Sequence, residues 1–127
     1  MAIETAGNVG GGLNGNHING DGGVPTIVLG PGAGTGSSAI ITGNDNAFRL
    51  QITTGTGPNS TGIVCTITFN TAFAIIPHIV YSFANALAAQ LDDDLYVTNI
   101  TTTNFQLRAS GSALTARSVY IYEIIII

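Results

Sequence analysis

Ala47-Phe48-Arg49-Leu50-Gln51-Ile52-Thr53 alternates without a break, with Phe48, Leu50 and Ile52 apolar and Arg49 and Gln51 polar between them. Successive side chains of an extended chain point to opposite sides, so this run reads as a half-buried strand. Upstream, Gly43-Asn44-Asp45-Asn46 is a turn, preceded by Ala39-Ile40-Ile41-Thr42 as a second strand. Downstream, Gly55-Thr56-Gly57-Pro58-Asn59-Ser60 closes the run, and alternation resumes with Ile63, Cys65, Ile67 and Phe69 on one face and Val64, Thr66 and Thr68 on its reverse. His78 to Phe83 follows Pro77, with Ile79, Tyr81 and Phe83 together. Leu95 to Ile100 and Asn104 to Ala109 add two strands, the latter with Phe105, Leu107 and Ala109 inward. Val119 to Ile127 is the last, and Val24 to Leu29 the first. The spacing predicts an all-β fold, an antiparallel β-sandwich or jelly-roll-like domain with little helix. Ala84 to Leu91 reads as one or two helical turns, or equally as a loop over the sandwich end.

The glycines divide the chain. Twelve of 17 precede Ser37, and residues 1–23 hold only scattered hydrophobes, among them Ile3, Val9, Leu13 and Ile18. Such a segment builds no core of its own, so residues 1–36 read as an extended arm with a Gly-rich link, mobile in the free protein or ordered against a partner. The sandwich is assigned to 37–127, with 24–29 as a short strand inside the arm. Its last strand, Tyr120 to Ile127, is apolar on both faces, a hazard if left exposed at an edge. It is expected either wholly inside the protomer or centrally in a sheet with one face against a neighbouring chain. The second is preferred, because roughly 85–90 residues make a small core that oligomerisation supplements. Tyr120, Tyr122, Ile124 and Ile126 are the expected contact between copies.

Only 8% of the 127 residues are charged, against ~25% in an ordinary soluble domain, and the net charge is -4. Three arginines and no lysine argue against nucleic-acid binding, which rests on clustered cations, and against a polybasic membrane patch. No apolar run is long enough to span a membrane as a helix. Met1 to Gly7 lacks the basic start and apolar core of a secretory signal, and the lone Cys65 leaves assembly in a reducing cytoplasm, or indifference to redox state, as the expectation. Cys65 alone permits no internal disulfide; its alternation places it among buried hydrophobes.

Candidate chemistry is thin. Gly30-Pro31-Gly32-Ala33-Gly34-Thr35-Gly36 misses the dinucleotide spacing, since Thr35 and Ser37 stand where the third glycine belongs. Asp92-Asp93-Asp94 lacks the spacers and glycine of a calcium loop and reads as a solvated turn. His17 and His78 match no zinc spacing, and no nucleophile elbow is present. No enzyme activity, cofactor or metal is expected. Asn59-Ser60-Thr61 and Asn99-Ile100-Thr101 match the glycosylation pattern but carry little weight without a secretory signal. One of Arg49, Arg108 and Arg117 is a candidate partner for Glu123 in its apolar strand.

From about Ser38 onward, Gly43-Asn44-Asp45 before Phe48, Ile67-Thr68-Phe69-Asn70, Phe73, Pro77, Tyr96-Val97, Thr101-Thr102-Thr103, Phe105, Leu114-Thr115-Ala116 and Tyr120-Ile121-Tyr122 together resemble the β-sandwich domains of tailed-bacteriophage virion proteins. These are capsid decoration (cement) proteins and the knobs of head or tail fibres. The resemblance covers about 90 residues and rests on turn and core positions. It implies a structural virion protein on the outer capsid surface, a homotrimer whose partner is the major capsid protein. The arm, through Ile3, Val9, Leu13 and Ile18, is then the expected capsid contact. A receptor-binding fibre tip that recognises glycans is the alternative it leaves open, and a cellular lectin or adhesin module is a third.

Overall fold

The computed structural model describes residues 23–90 and 95–127. Among them eight strands form two antiparallel sheets: β1 Thr26–Leu29, β2 Ser38–Gly43, β3 Ala47–Thr53, β4 Ile63–Thr68, β5 Ile79–Phe83, β6 Leu95–Thr98, β7 Asn104–Ala109 and β8 Val119–Ile126. Sheet A has the order β1-β4-β7-β6 and sheet B the order β2-β3-β8-β5. Only the links β2 to β3 and β6 to β7 join neighbours in one sheet; the others cross between sheets. This is the all-β sandwich that the alternation predicts, with every strand within one or two residues of its expected place.

The core follows from the two-residue repeat. On β3, Phe48, Leu50 and Ile52 point inward, and Leu50 and Ile52 lie opposite Tyr122 and Tyr120 of β8. Across the sandwich Ile67 pairs with Phe105 and Cys65 with Leu107, all fully buried. Each such side chain contributes about 1.5–3 kcal/mol of burial. Phe69 meets Phe73 edge-on at 4.7 Å and Phe105 at 5.8 Å, closing one end of the core. Strict alternation fails at one point: the register shifts between Ile63 and Cys65, so Val64 is buried beside Cys65 instead of facing out. A bulge of this kind inserts an extra residue and re-aims its neighbours.

One boundary differs from expectation. β1 pairs along its length with β4, from Thr26↔Thr68 to Leu29↔Cys65, so the sandwich starts ahead of residue 37. The Gly-rich stretch is part of it, not a flexible link. Pro31–Ala33 forms one 3-10 turn with Ala33 buried, and Thr35 and Thr56 exchange backbone hydrogen bonds of 2.9 Å. Gly55 allows this approach: a Cβ there would lie 1.8 Å from the Thr35 carbonyl oxygen. The Ala-rich segment makes a single turn, α1 Ala86–Ala89, whose Ala88 N–H donates to Asn85 Oδ1 at 3.0 Å.

β8 sits between β3 and β5, as preferred from its double-sided apolarity. The face assigned to a neighbouring chain must be corrected, however. Tyr120, Tyr122, Ile124 and Ile126 are at most 1% exposed within the protomer, so they are core and not an interface. The outward series is Val119, Ile121, Glu123 and Ile125.

Candidate functional site

Of the residues singled out for contact or chemistry, Ile3, Val9, Leu13, Ile18, His17 and Asp92-Asp93-Asp94 lie outside the described residues. His78 is exposed, following buried Pro77, and its backbone N–H donates to the Ile127 carbonyl at 2.6 Å. Among the described residues no three His, Cys, Asp or Glu side chains converge. Burial pushes the Cys65 thiol up to about 12, offset in part by a backbone hydrogen bond at Leu107, so it stays protonated and unreactive at neutral pH. Burial, then the neighbouring Tyr120, Tyr81 and Cys65, also raises Tyr122. The Tyr122 hydroxyl has no hydrogen-bond partner among the described residues, whereas Tyr120 Oη accepts the Thr115 N–H at 2.7 Å.

Three surface features remain. The first is an apolar hollow of about 360 Å³ at one end of the sandwich, bordered by Phe73, Ile75, Ile76, Pro77, His78 and Ile127. Ile75 is 78% exposed there. Buried Asp45 holds the same end together, accepting the N–H of Asn70 at 2.7 Å and of Thr71 at 2.8 Å. The chain enters here too, since the Gly23 N–H donates to Asn70 Oδ1 at 3.2 Å. The second is an open recess of about 320 Å³ bordered by Pro31, Thr35, Ser37, Gly57 and Asn59. Its lining of hydroxyl, amide and backbone groups suits hydrogen bonding to a polar ligand.

The third is the outward face of sheet B. Arg49 is the partner of Glu123, directly opposite it in register, with Nε 3.0 Å and Nη2 2.5 Å from Oε2. The pair is exposed to solvent, not buried. Ile40, Val80 and Ile125 surround it, each more than half exposed. Sequence reasoning passed over this face because it chose the wrong phase of β8. Glu123 carried the signal that fixes the phase: its carboxylate must face out, and Val119, Ile121 and Ile125 go with it.

Comparison with protein families, with characterised proteins and with solved structures returns no match to this chain.

Proposed function

We propose that the protein is a virion structural subunit, a capsid decoration protein that binds the outside of a phage head and bridges copies of the major capsid protein. It acts by contact and not by catalysis. The observation that carries this reading is the meeting of two contact features at one end of the sandwich. Residues 1–22, which hold Ile3, Val9, Leu13 and Ile18, join the fold at Gly23, beside Asn70. A few residues further on stand exposed Ile75 and Ile76 and the apolar hollow. The hollow and the point where the arm joins the sandwich thus lie at the same end, which this reading directs toward the shell. Many such weak contacts, repeated over a particle, add through multivalency and resist separation of the shell subunits.

The test is co-sedimentation of the purified protein with heads that lack it. Full-length chain is expected to bind, and chain lacking residues 1–22 to lose binding while keeping its β-type circular dichroism. Binding retained by the truncated chain refutes the arm's role. The recess lined by Thr35, Ser37 and Asn59 favours the second reading, a glycan-recognising fibre tip. Copy number separates the two: densitometry of purified virions gives hundreds per particle for a decoration protein and a few dozen for a fibre.

A further inference from the structure

The two sheets bury equivalent inner faces but turn different chemistry outward. On sheet A one outward row runs Thr26, Thr68, Asn104 and the next Val28, Thr66, Gln106, Thr98. That is the polar exterior of a sheet that meets water. On sheet B two outward rows are largely aliphatic: Ile40 and Ile121 flank Gln51 in one, with Ser38, Thr53 and Val119 beyond it, and Ala47, Ile125 and Val80 make another. Between them runs a polar row, Thr42, Arg49, Glu123, Ser82, with the ion pair on the two central strands.

This apolar–polar–apolar pattern is complementary to itself. A half-turn about an axis parallel to the strands lays each row on its own copy and brings Arg49 over Glu123 of the second chain. A strongly acidic or basic partner leaves one member of the pair unmatched. A lipid surface would have to take the pair into hydrocarbon, which is costly. Four strands spaced ~4.8 Å apart and about 20 Å long offer roughly 400 Å² per copy. Two copies bury on the order of 1,000 Å² once side-chain relief is counted, the low end of specific interfaces. The area therefore fits a reversible association.

We propose that the outward face of sheet B is a homotypic docking surface across which two copies pack face to face, sharing the Arg49–Glu123 pairs at its centre. This takes two copies where the family resemblance implies three, and it does not depend on the virion reading, since the free protein suffices to test it. In sedimentation equilibrium, the mass of the full chain is expected to rise with concentration from one copy to two. Ile40→Asp/Ile125→Asp, at solvent-exposed positions in opposite aliphatic rows, is expected to weaken association about tenfold or more with unchanged circular dichroism. Val28→Asp, on the outer face of sheet A, should associate like the parent. Arg49→Glu and Glu123→Arg each put like charges at the centre and should remain single copies. Mixed in equal amounts, they should recover the two-copy mass. A parent mass fixed at one copy, a mass of three, association retained in the double aspartate variant, or no recovery on mixing the charge variants overturns the proposal.

Discussion

The inner and outer faces of β8 are made of nearly the same residues and have different physical roles. Ile124 and Ile126 point inward and are 1% exposed; Ile125 between them points outward and is 51% exposed. The inner face is held by packing on every side, so its side chains determine whether the sandwich forms. The outer face has packing on one side only, so its side chains determine what the finished sandwich touches. Hydrophobicity by itself does not separate the two roles. Position in the two-residue repeat does.

The sharpest way to break this contrast is to truncate neighbouring isoleucines. Ile124→Ala is expected to cost about 2–5 kcal/mol in the urea-unfolding free energy, and Ile125→Ala to stay within about 0.5 kcal/mol when measured at concentrations where the chain is a single copy. Similar losses at the two positions would mean that both faces of β8 are buried in the protomer.

A finer comparison lies within the inner face. Tyr120→Phe removes the acceptor of the Thr115 N–H and is expected to cost about 1–2 kcal/mol. Tyr122→Phe removes a hydroxyl with no partner among the described residues, so stability should hold or rise by up to about 1 kcal/mol. Thermal midpoints of the two variants against the parent read this directly.

The smallest effect is in alkali. The folded-state pKa of Cys65 is raised above its unfolded value, so its contribution is fully present below about pH 9 and is lost as pH rises toward about 12. Tyr122, shifted in the same direction, adds to the fall. The urea-unfolding free energy should therefore be nearly insensitive to these groups up to about pH 9 and be lower by roughly 1 kcal/mol at pH 10. Cys65→Ala is expected to flatten the decline, even though it is less stable overall. A slope unchanged by that substitution would mean that the thiol does not govern it.

Much of the architecture was legible because local alternation reports on the inner face. Ala47 to Thr53 and Asn104 to Ala109 announce their buried residues to within one position. What was not legible depends on residues far apart in the chain. The pairing of β1 with β4 joins positions about 40 residues apart, and a glycine-rich context around Thr26 to Leu29 gives no hint of it. Asp45 looked like a turn residue, yet its carboxylate organises Asn70 and Thr71 from 25 residues away. The phase of β8 was the costly miss for the outward face of sheet B, because aromatic side chains at Tyr120 and Tyr122 drew the interface assignment to the buried side. The one acid in that strand outweighs them as an orienting signal.

The place of β8 also governs the timing of assembly. It is the last of the eight strands to leave a ribosome, yet it joins β3 to β5 in the middle of sheet B. Until it emerges, the β3 edge of the β2–β3 hairpin is unoccupied and β5 has no neighbour in its sheet. Closing these pairings spans up to 78 residues, from Ala47 to Ile125, a separation that slows folding. A nascent chain thus holds a half-built, edge-exposed sheet until synthesis reaches Val119–Ile126, and that interval is when it is most prone to join the wrong neighbour.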